Sequence, residues 1–199
     1  MEASNSINLE LWLKIGAFVV SVLLLGKGIF EYTRAQKWKR AELIAKEMKE
    51  FLQDATIKRA LLLLDWNANY IDLRPEENNG EKQMHFTDKL ITSALRTHRE
   101  CNRFTPEEVI IKGIFDGFLD RLGYFNNYIS AGLITANEVK PYLIYWVDIL
   151  ANVNSKRKPT ECRQKMWNFI HEYGYSDVIE LCERFGYHAI PPTPPEAQP

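Results

Sequence analysis

The stretch Leu11–Phe30, LWLKIGAFVVSVLLLGKGIF, decides the architecture. Twenty helical residues at about 1.5 Å each cover about 30 Å, the thickness of a bilayer's hydrocarbon core. Lys14 and Lys27 interrupt the run near its two ends, with twelve uncharged residues between them. Each stem can lie in lipid while its ammonium reaches the nearer interface. Trp12 before the core, and Tyr32 and Trp38 after it, suit an interfacial belt. A cleaved signal peptide fits less well. GKGIFEYTR offers no small-x-small cleavage site, and the n-region carries Glu2 and Glu10 rather than arginines. A buried core helix would keep a polar face, and Ile15–Gly26 has only Ser21 to offer. The expectation is one transmembrane helix over residues 11–33.

Flanking charge gives that helix a direction. Before the core there is only Lys14; after it come Lys27, Arg34, Lys37, Lys39 and Arg40. The positive-inside rule puts residues 1–10 outside and the rest of the chain in the cytoplasm, as a single-pass protein of the cell (inner) membrane. The basic flank can attract anionic headgroups, at about 1 kcal/mol per residue near the surface. A plain stop-transfer flank is a better account of it than a specific lipid site.

Bulk properties agree with one anchor and one domain of ordinary size. The chain has 199 residues, 46% of them apolar, which suffices for a core. Lysine plus arginine number 25 against 26 acids, for a net charge of -1, so no basic surface invites nucleic acid. Cys101, Cys162 and Cys182 are far apart and odd in number, which suits free thiols rather than a disulfide framework.

Behind the anchor the pattern turns helical. In a juxtamembrane helix over 34–56, Ala41, Ile44, Ala45, Met48, Phe51 and Leu52 share one face; Lys46, Glu47, Lys49 and Glu50 hold the other. No Gly or Pro separates it from the anchor, so the two are expected to form one rod that keeps the domain near the membrane. The domain proper, 57–190, reads as a helical bundle, which makes the fold class mainly α. A short helix near Ile57–Asp65 opens it.

Residues 66–87 break the helical period. Asn79-Gly80 is a strong hairpin dipeptide, so a small β-hairpin or an ordered loop is expected. A DNA-binding wing would have the same outline, but this tip is acidic (Glu76, Glu77, Glu81) and repels phosphate. A helix over Asp88–Thr97 follows.

Thr105, Pro106 and Glu108 then form a capping box. Ile111, Phe115, Phe118, Leu122, Phe125 and Ile129 recur at spacings of four and three, a bundle seam that Gly132 ends. From Thr135, Val139, Tyr142, Leu143, Trp146, Ile149, Leu150 and Val153 share a face, with Pro141 about a turn in to start or kink the helix. The basic turn SKRK and Pro159 precede a stripe of Cys162, Met166, Trp167, Ile170 and Tyr173. Val178, Leu181, Cys182 and Phe185 mark a last short helix. The tail Pro191–Pro199 has five prolines in nine residues and reads as disordered or polyproline-like.

Little of this carries chemistry. Asp116 and Asp120 share a helix face beside Arg121, and paired carboxylates can bind metal or move protons. No second carboxylate helix completes such a site, so a solvated or salt-bridged face is the better account, with an interaction role the alternative. His98 and Cys101 have ligand-like spacing but lack the further ligands zinc needs. Helical HEPN-type ribonucleases carry an arginine, four to six intervening residues, then a histidine; Arg163 and His171 have seven between them and Arg184 and His188 three, so both miss that window. Gly113 and Gly117 suggest close helix packing.

The segments LLLLDWNANYIDL (61–73), FTPEEVIIKGIFDGFLDRLGYFNNYISAGLI (104–134), KPYLIYWVDIL (140–150) and MWNFIHEYGY (166–175) resemble a family of uncharacterised bacterial membrane-anchored proteins. The likeness runs over the stretch from Ala60 to Tyr187, about two-thirds of the chain. It implies an N-terminal membrane helix and a cytosolic helical domain, and supplies no catalytic residue. The function expected is a non-enzymatic, membrane-tethered interaction or scaffold module, whose partner is another protein or a second copy. No cofactor, metal, small-molecule ligand or nucleic acid is expected. The rivals are an oligomeric membrane effector whose Lys14 and Lys27 line an aqueous path, and a helical nuclease using His171 or His188.

Overall fold

The computed structural model describes residues 2–72 and 83–192, with side chains from Trp12 onward. Among the described residues there are seven helices and one two-stranded antiparallel sheet. The chain divides into two units, Met1–Leu43 and Ile44–Pro199.

The first unit consists of the larger part of helix α1, which runs unbroken over Glu2–Gln53 and ends within the second unit. It starts before the expected residue 11. The preceding EASNSINLE holds no Gly or Pro to interrupt it. From Trp12 to Phe30 its large apolar side chains are exposed, between 44% and 70%. α1 is the one helix among the described residues long and apolar enough to cross a membrane.

The second unit takes its first core residues from the end of the same helix. Ile44, Met48 and Phe51 are buried there, while Ala41, Ala45 and Leu52 are exposed. The buried line is the narrow i, i+4, i+7 stripe; the other three residues lie to one side of it, where no neighbour covers them. Asp54 stops α1. Its carboxylate accepts from the N–H groups of Thr56 (2.7 Å) and Ile57 (3.2 Å), which caps α2 (Ala55–Asp65).

Strands β1 (Ala68–Asp72) and β2 (Gln83–Thr87) pair antiparallel, with Ile71 opposite Met84 and Tyr70 opposite His85. The antiparallel strand pair of the expected hairpin is therefore present, and the Asn79-Gly80 dipeptide read as its turn lies outside the described residues. Ile71, Met84 and Phe86 point into the core. Tyr70 and His85 face outward with ring centroids 5.0 Å apart. Thr87 ends the sheet and caps α3 (Asp88–Ala94), which is shorter than the sequence suggested.

Helix α4 (Pro106–Ser130) is the centre of the bundle and packs on α2, α3 and α7. Its capping box forms as read, and all six seam residues from Ile111 to Ile129 are buried. Phe51 meets Phe125 edge-on at 5.7 Å, and Phe115 meets Phe169 at 5.7 Å. Gly117 permits the α2 crossing, because an added Cβ would sit 3.0 Å from Thr56 Cγ2. Gly113 faces open space, so close packing does not explain it. Gly132, at φ +70°, allows the chain to leave the helix.

Helix α5 (Ala136–Ala151) begins with a second capping box at Thr135 and Glu138 and continues through Pro141. Helices α6 (Thr160–Glu172) and α7 (Ser176–Arg184) complete the unit. Trp167, fully buried, donates from Nε1 to the Leu150 carbonyl at 2.8 Å. Cys162 and Cys182 are buried free thiols, and burial pushes both pKa values up, to about 11 and about 12. Cys101 is half-exposed.

Candidate interaction surface

Helix α5 carries two apolar lines, and the fold covers one of them. Val139, Leu143, Val147 and Leu150 are buried, in a helix that packs on α2 and α7. Of the other residues expected on that buried face, Ile149 is buried, whereas Tyr142 is 55% exposed, Trp146 half-buried, and Val153, just beyond the helix, 64% exposed. A helix can turn only part of its circumference toward its neighbours, and this one has apolar residues over a wider arc than they reach.

The uncovered residues continue onto the neighbouring elements. Tyr145 packs edge-on against Trp146, centroids 4.7 Å apart, and its hydroxyl donates to Asp65 at the end of α2. Arg157 lies over the Tyr145 ring at 6.0 Å and pairs with the same carboxylate at 3.8 Å. The hydrogen bond to Asp65, with burial and the carboxylate's charge, raises the Tyr145 pKa. Trp66, 51% exposed, follows Asp65 directly. Asp65, Trp66, Asn67, Ala68, Lys156 and Arg157 line a shallow cleft of about 360 Å³. The result is one surface of aromatic rings with a basic rim. Trp, Tyr and Arg are the side chains that dominate binding hot spots.

Two buried cations hold this surface in shape. Lys158, within the basic SKRK turn, is enclosed, and its ammonium donates to the Trp66 carbonyl (2.6 Å) and to Asp88 (2.7 Å). Arg163 donates to the carbonyls of Val153 (2.9 Å), Ser155 and Lys158 (2.9 Å). The turn bearing Val153, Lys156 and Arg157 is thereby fixed to α6 and to the base of the hairpin.

The other residues singled out by the sequence do not converge on a site. Asp116 accepts from the Tyr175 hydroxyl at 2.8 Å and is half-buried; Asp120 is exposed. Burial pushes the Asp116 pKa up, against the bond from Tyr175 and the charge of Lys112, with Asp120 adding to the rise. Lys112 itself lies among the rings of Phe104, Phe169 and Tyr173, at 4.6–5.3 Å from their centroids. His98 packs edge-on against Phe104 and Tyr173, whereas the Cys101 thiol donates to the Arg103 carbonyl. His171 Nε2 donates to the Ile190 carbonyl at 2.8 Å. Arg163 and His171, about 12 Å apart along α6, are thus each committed to backbone oxygens. Lys27 pairs with Glu31 at 3.7 Å. Lys14, Arg34, Lys37 and Lys39 are exposed and Arg40 partly so; they ring α1 instead of forming a pocket.

A larger cleft of about 580 Å³ lies between α3 and α6, lined by Asp88, Ser93, Arg96, Cys162 and Lys165 among others. Its charges are used internally: Asp88 with Lys158, Arg96 with Glu108, and Lys165 with Glu100. Trp66, Tyr145 and Arg157 were not singled out by sequence reasoning. The available signal was the double apolar line on α5, which exceeds what one buried face requires. No family model, curated protein or solved structure matches this chain.

Proposed function

We propose that the chain is a single-pass membrane protein whose helical unit is a non-enzymatic interaction module. The aromatic residues Trp66, Tyr142 and Tyr145, which are exposed, and Trp146, which is half-buried, carry the reading. Burying a large apolar side chain is worth about 1.5–3 kcal/mol, so a protein partner that covers these rings gains affinity from surface already in place. The membrane end of the reading rests on α1. Leaving Leu13, Phe18, Leu23, Leu24, Leu25 and their neighbours in water would forgo on the order of 15–30 kcal/mol, more than a typical domain's entire stability. The flank from Lys27 to Arg40 orients the helical unit toward the cytoplasm. Tethering raises local concentration, so a modest surface suffices.

The test is mild-detergent solubilisation, affinity capture and mass measurement of the wild type beside Trp66→Ser/Trp146→Ser. The wild type is expected to emerge with a protein partner or as an oligomer, and the variant alone at unchanged helix content. A wild type that emerges monomeric and alone would sink the proposal. Reporter fusions at the two ends test orientation separately.

A further inference from the structure

The cleft beside Trp66 collects donors that the fold leaves unused. Lys156 is exposed and enters no ion pair or hydrogen bond among the described residues. Arg157 comes no closer to Asp65 than 3.8 Å, beyond hydrogen-bond distance, and 57% of its side chain stays open. Its N–H groups are therefore free for an incoming acceptor. Asp65, the one acid in the lining, is occupied, since it accepts from the Tyr145 hydroxyl and faces Arg157. Two cations against one acid leave the cleft positive. Its walls are set in advance. Lys158 follows Arg157 directly, and its ammonium bonds the Trp66 carbonyl at 2.6 Å, so one buried side chain ties the basic turn to the opposite wall.

We propose that this cleft receives a side-chain carboxylate of an acidic segment of a protein partner, held by Lys156 and Arg157, with an apolar residue of the same segment against Trp66. Charge complementarity selects that occupant. The guanidinium offers paired donors that match the two oxygens of a carboxylate, and the ammonium beside it adds a point charge. The open Trp66 ring gives the neighbouring apolar side chain a surface, and its cover keeps water from the ion pair. A shallow cleft of about 360 Å³ suits side chains of a peptide better than a small molecule, which needs enclosure. A nucleic acid fits worse. Glu138 stands one turn from Tyr142 on the same arc of α5 and would meet a backbone charged at every step, whereas a peptide places its acid at the cleft alone. The proposal rests on the interaction reading of this surface and adds the partner's chemistry to it.

Selection from a library of random peptides displayed on phage, against the full chain in mild detergent, tests it. Retained peptides are expected to carry aspartate or glutamate beside a large apolar residue. The commonest of them, made as a fluorescent peptide, should bind about tenfold more weakly to Lys156→Glu and to Arg157→Gln at unchanged helix content, and should weaken as salt rises. Glutamine in place of its acids should cost as much. Retained peptides that are neutral or basic, acidic ones that bind Lys156→Glu and wild type alike, or tighter binding of a labelled oligouridylate would each overturn the proposal. Trp66→Ser/Trp146→Ser separates it from the reading beneath it. Peptides that lose binding there but not in Lys156→Glu sink the acidic partner and leave the interaction surface standing. If no peptide is retained, or none depends on the two tryptophans, both are wrong.

Discussion

Lys158→Met removes a charge from the place where three elements meet. The methionine stem fills the space of the lysine stem, so the loss is mainly electrostatic. Asp88 keeps 14% of its side chain exposed but loses its cation, and the Trp66 carbonyl loses its donor. Removing one partner of a buried ion pair costs about 3–5 kcal/mol. Asp88 opens α3, where the helix N-terminus favours negative charge by about 0.3–1 kcal/mol. The lower end of the range therefore applies, about 3 kcal/mol. For a unit of this size each kcal/mol moves Tm by about 2–4 °C, so a drop of about 6–12 °C is expected. Thermal unfolding by circular dichroism in mild detergent reads it. Asp88→Asn in the same background removes the stranded charge and should return half or more of the loss. If Lys158→Met costs less than about 1 kcal/mol, or if the two substitutions add without coupling, the reasoning fails.

Gly117→Ala should lower Tm despite the gain of about 1 kcal/mol in helix propensity, because the methyl meets Thr56 Cγ2 and overpacking costs about 1–3 kcal/mol. In a Thr56→Ser background the same substitution should raise Tm. Glu108 responds to acid. Burial pushes its pKa up, but bonds from Ser93, the Thr105 N–H and Arg96 together outweigh burial and hold it below the ordinary value. A depressed native pKa adds stability above the unfolded value of about 4.3, and that contribution fades as pH falls further. Glu108→Gln should flatten this acid limb of the Tm–pH curve; an unaltered limb would contradict the assignment. Asp116 has the opposite sign, since its raised pKa means the native state prefers it protonated. Asp116→Asn keeps an acceptor for Tyr175, so its Tm relative to wild type should climb as pH rises above the unfolded value of about 4.

What was legible in the sequence was local. The α4 start needs Thr105, Pro106 and Glu108 within four residues, and its seam repeats at a fixed spacing; both formed as read. Lys158 had no such signal. In SKRK it is one basic residue among three, and its partners Trp66 and Asp88 lie 92 and 70 residues away. Burial selected this lysine from the turn, and burial is a tertiary property. Leu52 and Tyr142 failed for a related reason. Periodicity places a residue on an apolar arc but does not say how much of that arc a neighbour covers.

That gap between apolar arc and covered arc separates the two exposed apolar surfaces by kind. On α1, between Lys14 and Lys27, the uncovered large residues are Leu, Val, Ile and Phe around the whole circumference, with no polar side chain except Ser21, whose hydroxyl bonds back to the Ala17 carbonyl. Such a surface has no acceptable state in water and needs permanent cover. On α5 the uncovered residues are mainly Tyr and Trp, whose rings bury well and whose polar tips remain satisfied when wet, as the Tyr145 bond to Asp65 illustrates. Such a surface tolerates both the covered and the open state. A lipid bilayer suits the first demand and an exchangeable partner the second. The Lys158 and Arg163 locks fit the same division: a surface that must be open part of the time cannot rely on its partner to hold its shape, and these two cations hold it from inside the fold.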